Sequence, residues 1–277
     1  MSEENQNHLA FELVSASGSA PSRTGVLLHG ILGLKKNLLG IAQKMANAFH
    51  GWQWVVVDLR NHGDSRGFVG PHTLEACAGD ILDLMNYLNL KPEAIVGHSF
   101  GGKVALAYSE ISEVSQVWVW DSAPGEEVLY SANERTDSVG RVIEVLKSLP
   151  MPIISRAQLV QDLLAGGLSK DVALWMTTNL KTRSEGLVFK FDLGCVEEML
   201  DSYFGTSFWP LLRLGKSGTD YHFICAQKGN RFSEGDLKEL EALTQSHVYL
   251  HRLENAGHWL HIDNPEGVVQ QMKPYFI

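Results

Sequence analysis

The stretch Ala94-Ile95-Val96-Gly97-His98-Ser99-Phe100-Gly101-Gly102-Lys103-Val104-Ala105-Leu106-Ala107-Tyr108 runs directly from an apolar segment, through a serine bracketed by glycines, into a helix-forming segment. Ala94-Ile95-Val96 has the character of a strand buried on both faces. Between that strand and the helix, Gly97-His98-Ser99-Phe100-Gly101 fits G-x-S-x-G. A serine on so sharp a strand-to-helix turn is held in strained backbone geometry. Small residues two before and two after it let strand and helix approach. The hydroxyl then projects above the sheet, which makes Ser99 the candidate nucleophile. The bland reading is a Gly-rich turn with an idle serine, and the partners found elsewhere in the chain weigh against it.

Outward from this point, short apolar runs recur with helical stretches between most of them. Phe11 to Val14 suits a first edge strand, and 15–24 is a turn rich in Ser, Gly, Ala and Pro. Val26-Leu27-Leu28 precedes a helix expected over 38–49. Trp54-Val55-Val56-Val57 precedes one over 74–90. Val117-Trp118-Val119-Trp120 ends at Asp121, 221–225 and 248–253 supply two more strands, and a last helix is expected over 265–275. Apolar strands alternating with helices predict an α/β fold, a mainly parallel sheet covered on both faces. Ligands bind at the carboxyl ends of such strands. Between Asp121 and Leu214 only helical patterns appear, at 139–149, 156–164 and 170–178, so an all-helical insertion is expected to roof that edge. Residues 1–121 and 215–277 are then the core, and 122–214 the helical cap.

The residues just after each strand carry the chemistry. His29-Gly30-Ile31-Leu32-Gly33 follows one strand. An acyl-transfer site must stabilise a developing oxyanion with backbone N–H groups, and the expected donors are the amides of Ile31 and Phe100. Asn255-Ala256-Gly257-His258-Trp259 follows the last strand, which makes His258 the candidate general base, with His261 as its competitor. The acid that orients the imidazole is expected at Asp121, directly at a strand end, with Glu234 and Asp236 as alternatives in the loop after Cys225. Asp58-Leu59-Arg60-Asn61-His62-Gly63-Asp64-Ser65 reads as a hydrogen-bonded loop bracing the sheet edge.

The chain has 277 residues, 44% of them hydrophobic, enough for one sizeable core. No apolar run approaches the ~20 residues of a transmembrane helix, and 1–8 shows no targeting pattern. The formal net charge is -9 without a dense basic cluster, which disfavours nucleic acid as a partner. Cys77, Cys195 and Cys225 are scattered. They suggest neither a disulfide framework nor a metal site, and read as buried thiols of an intracellular, soluble protein.

His29-Gly30…Gly33, Asp58-x-Arg60-x-His62-Gly63-x-Ser65, Gly97-His98-Ser99-Phe100-Gly101-Gly102 and Gly257-His258-Trp259 occur together in this order. The set resembles the α/β-hydrolases, in particular the bacterial YbfF-type esterases and the abhydrolase-domain-11 group, over nearly the whole chain. The resemblance implies a sheet of about eight strands with a helical cap and no cofactor. It further implies Ser99 as nucleophile, His258 as base, and hydrolysis of a small-molecule ester or lipid-like substrate of short or medium acyl chain. Arg231 departs from the pattern, because it stands near the place where many relatives carry the acid. Two other readings share these residues: a small-molecule receptor with little or no turnover, and a hydrolase of a thioester, lactone or C–C bond.

Overall fold

The computed structural model describes residues 8–126, 138–244 and 246–276. In chain order the first elements are β1 (Phe11–Ser15), β2 (Arg23–Leu28), α1 (Lys35–Ala48), β3 (Trp52–Val57), α2 (Leu74–Leu88), β4 (Ala94–His98), α3 (Phe100–Ile111) and β5 (Gln116–Trp120). An inserted segment follows with α4 (Val139–Ser148), α5 (Arg156–Ala165), α6 (Lys170–Thr178), β6 (Leu180–Arg183), β7 (Gly186–Phe189), α7 (Leu193–Gly205) and α8 (Trp209–Leu214). The chain then returns through β8 (Asp220–Ala226), α9 (Glu234–Leu243), β9 (Val248–Leu253), α10 (Leu260–Asp263) and α11 (Pro265–Met272).

One sheet organises the molecule, with strand order β1-β3-β2-β4-β5-β8-β9. Only β1 is antiparallel, paired with β3 at the edge. The strand residues alternate between two apolar layers. Val26, Leu28, Ile95, Val117 and Val119 pack with α2 and α3, while Leu27, Val96, Trp118 and Trp120 pack with α1 and α11. Burial on both faces explains why these strands are continuously apolar. From β2 the chain turns to β3 on one side, and from β4 to β5 on the other. The carboxyl ends of β2 and β4 therefore flank the topological switch point, where open α/β sheets form their crevice.

The sheet has seven strands, where about eight were expected. The turn-rich stretch 15–24 adds no strand, so a single strand precedes β2. The inserted segment also differs from the all-helical expectation, since β6 and β7 form an antiparallel hairpin around Ser184-Glu185. These strands are four residues long and largely unburied, too short for alternation to announce them. The segment is divided in its packing. Residues of α4 to α6, the hairpin and the start of α7 share one apolar cluster with Leu32, whereas Tyr203, Phe208, Trp209 and Leu212 join the layer beneath the sheet. Cys77 is buried as expected, while Cys195 and Cys225 are only half-buried; all three are free thiols. No helix among the described residues is long and apolar enough to cross a membrane, and no group of side chains among them is arranged to hold a metal.

Candidate active site

Ser99 sits between β4 and α3 at φ 52°, ψ -117°, and its side chain does not cap the helix. A positive φ in a non-glycine residue costs on the order of 1 kcal/mol or more and needs enforcement by its surroundings. The packing around it supplies that enforcement. A Cβ at Gly97 would stand 1.9 Å from the Gly101 carbonyl oxygen, and one at Gly101 would stand 2.6 Å from the His29 carbonyl oxygen. Only glycine at both places lets β4, α3 and the loop after β2 meet. The Ser99 amide donates to the Trp120 carbonyl, 2.9 Å, tying the turn to β5.

The loop after β2 lies against this turn. A Cβ at Gly30 would be 3.3 Å from the Ser99 Cβ. Within the loop, the Gly33 amide donates to the Gly30 carbonyl at 2.9 Å, and the Leu32 amide donates to His62 Nε2 at 3.2 Å. His62 Nδ1 in turn lies 2.9 Å from the Arg60 carbonyl, which sets the tautomer. Burial drives the His62 pKa down to about 3 and keeps the ring neutral. The brace expected from 58–65 thus reaches further, because His62 shapes the loop that carries Ile31. Arg60 grips Asp80 through Nε and Nη2 at 2.6 and 2.8 Å, and the Ser65 hydroxyl donates to the Asp58 carbonyl at 2.7 Å. The amides of Ile31 and Phe100 have no acceptor among the described residues.

Asp121, at φ 49° just beyond β5, is fully buried. One carboxylate oxygen accepts from the Ala226 amide at 3.1 Å, and the other is 2.8 Å from His258 Nδ1. Burial pushes the Asp121 carboxyl up to about 6, against the pull of the Ala226 amide and the Arg231 charge. Burial also holds His258 well below the ordinary imidazole range, reinforced by Arg231 and His261. The imidazole is therefore neutral at pH 7 and Asp121 is a carboxylate, the protonation pattern a general base needs. His98, unremarked in the sequence beyond its place in the motif, fixes the neighbouring backbone: its Nε2 donates to the His258 carbonyl at 2.7 Å.

The other candidates are not joined to Asp121; His261 lines the same cavity as Ser99 and His258, while the two carboxylates sit at the start of α9. His261 packs against His98 and Trp120, and its Nδ1 has no partner. Asp236 closes the N-terminal cap of α9 with Ser233, and Glu234 is an exposed partner of Lys238. Neither carboxylate approaches His258.

Ser99, Ile31, Gly30, Arg231 and His258 line a cavity of about 100 Å³. Val139, Val142, Val172 and Trp175 of the inserted segment complete its wall, and Trp175 meets Trp259 with ring centroids 5.5 Å apart. Of the described aromatic residues of the insertion, Trp175 alone reaches this wall. Phe189 and Phe191 stack on each other, while Phe208 and Trp209 belong to the main core. Arg231 is a member of the wall that no spacing in the sequence announced.

The pattern of the Alpha/beta hydrolase family matches residues 26–271. The chain belongs to that family. Among curated relatives it is 27% identical to the mouse sn-1-specific diacylglycerol lipase ABHD11, covering 96% of this chain and 84% of the relative. It is 24% identical to a putative esterase/lipase of Haemophilus influenzae, covering 90% and 82% of the two chains. Among solved structures, a marine microorganism esterase superposes with a TM-score of 0.77 at 22% identity, covering 98% of this chain and 99% of that one. The α/β-hydrolase fold and membership of a hydrolase family of enzymes follow from these likenesses.

Proposed function

We propose that this α/β hydrolase cleaves carboxylic esters of small or medium acyl chain through Ser99, His258 and Asp121. The observation that carries the reading is the 2.8 Å contact of Asp121 with His258 on the cavity where Ser99 stands. His258 Nε2 takes the Ser99 proton as the hydroxyl oxygen attacks the carbonyl. The oxyanion is received by the amides of Ile31 and Phe100, which nothing else among the described residues engages. Phe100 opens α3, so the positive end of that helix dipole favours the same charge. Asp121 holds the Nδ1 proton and stabilises the imidazolium. His258 then protonates the leaving alcohol. The acyl group remains on Ser99 until a water, activated by the same imidazole, releases it.

The segment 122–214 acts in this reading as a cap that roofs the cavity with Val142, Val172 and Trp175. A cavity of about 100 Å³ supports a compact acyl group. The mouse and H. influenzae relatives are both named for ester-cleaving activity, which supports an ester as the bond. The test is hydrolysis of 4-nitrophenyl acetate and butyrate by the purified protein. Ser99→Ala is expected to lower kcat by about 10³-fold or more while the far-UV spectrum is unchanged. Full activity in that variant would remove the reading.

A further inference from the structure

Arg231 carries the one charged side chain on the cavity wall among the described residues. It stands in the loop between β8 and α9, half-buried, with its Nε sealed from solvent and without a hydrogen-bond partner. Among the described residues it forms no ion pair. The other arginines drawn into the structure are engaged: Arg60 with Asp80, and Arg66 with the carbonyls of Gly63 and Phe189. The acids of its own neighbourhood are also taken. Asp236 is bound to Ser233, Glu234 faces Lys238, and Asp121 is held by His258 and the Ala226 amide. Everything else on the wall is apolar or neutral. Its charge is felt by Asp121, but a guanidinium partly withdrawn from water with its Nε unpaired and no direct ion pair among the described residues is costly to the free protein. Arginine is also the side chain whose planar fork matches a carboxylate with two parallel hydrogen bonds.

We infer that Arg231 is a specificity-determining residue, whose guanidinium receives a carboxylate carried by the substrate a few atoms from the bond that Ser99 attacks. The preferred substrates are therefore monoesters of short dicarboxylic acids or similar anionic esters. The inference rests on the ester-hydrolase reading of Ser99. The size of the cavity fits it, since a carboxylate on a two- or three-carbon spacer from the scissile carbonyl remains compact. In a chain of net charge -9, this cation is also what draws an anion into the crevice.

The experiment compares ethyl hydrogen succinate, an anion at neutral pH, with ethyl levulinate, its neutral isostere, by proton release at constant pH. Wild type is expected to favour the anion in kcat/KM by about 10-fold or more, as a charge-assisted bond warrants. Arg231→Gln lowers that ratio by about 10- to 100-fold, chiefly through KM, and Arg231→Lys by less, because it keeps the charge and loses the fork. The ratio within each variant is the readout, so a general loss of active protein cancels. An unchanged ratio in Arg231→Gln, or no preference for the anion in wild type, overturns the inference. If neither ester is turned over, the ester-hydrolase reading fails, and calorimetry decides the anion site separately. Ethyl hydrogen succinate is expected to bind Ser99→Ala and not Ser99→Ala/Arg231→Gln; equal binding to both again overturns it.

Discussion

Burial acts on Asp121 and His258 in opposite directions, because it opposes charge on each. The carboxyl is raised to about 6 and the imidazole lowered, so the pair stays as carboxylate and neutral ring down to mildly acid pH. The two groups share a proton and titrate as a dyad. As pH falls through about 6, the dyad gains a proton, and under the proposed mechanism it then loses either the base or the negative charge that stabilises the imidazolium. The expected kcat/KM profile for 4-nitrophenyl acetate is flat from pH 7 to 8 and falls below about pH 6. An acid limb centred at pH 7 or above would contradict this electrostatic picture. Asp121 was legible in sequence because it follows directly on an apolar strand, and strand ends share one edge in a parallel sheet, whereas His258, five residues past β9, was legible through the Gly257-His258 pairing and its place last in the order Ser, acid, His. Arg231 was legible only as a departure from a family pattern. The direction of a side chain five residues beyond a strand depends on the fold of its loop, and periodicity carries nothing about that.

The inserted segment is fastened where it leaves and rejoins the core. Lys103, on the first turn of α3 and fully buried, donates to the carbonyls of Gly125, Tyr203 and Thr206 at 2.6, 2.7 and 3.0 Å. Two of these belong to the C-terminal end of α7, where carbonyls lack helical partners and a cation is favoured. Nearby, the Phe208 amide donates to the Pro124 carbonyl, and the hydroxyls of Ser122 and Tyr203 meet at 2.8 Å. Lys103→Met preserves much of the volume and strands the carbonyls, an expected loss of about 3 kcal/mol in urea unfolding followed by circular dichroism. Stability within about 0.5 kcal/mol of wild type would show that the neck does not depend on this ammonium. In sequence Lys103 looked like an ordinary helix residue, since a motif-adjacent lysine gives no sign of burial. The parallel strands were legible because two-sided burial writes itself as continuous apolar runs. The β6–β7 hairpin was not, since its four-residue strands lie mostly at the surface, and the strand count was set by a pairing that β1 makes alone.

At the scale of the molecule, several histidines are folded away as neutral rings. Burial lowers His62 and His222 to about 3, and His29, His98, His258 and His261 move the same way. A histidine depressed in the folded state leaves the unfolded chain binding more protons below pH 6.5, so stability is lost as pH falls through that value. Between pH 6.5 and 5.5 each fully depressed ring withdraws about 1 kcal/mol. His62 and His222, both completely buried, together withdraw about 2 kcal/mol. Asp121 has the opposite sign. Its raised carboxyl takes up a proton in the folded state as pH drops through about 6, returning somewhat under 1 kcal/mol over the same interval. The histidines outnumber it, so the unfolding free energy from urea titration is expected to fall by at least about 1 kcal/mol from pH 6.5 to 5.5. His222 allows the source to be isolated, because it lies against Trp118 at 4.0 Å between ring centroids, in a stack with Tyr249 that does not line the cavity. His222→Phe keeps an aromatic ring there and removes the titration. The drop between the two pH values should shrink by about 1 kcal/mol in that variant, whatever its absolute stability. An unaltered drop would mean that His222 titrates alike in the folded and unfolded chain, and that its burial does not govern acid stability.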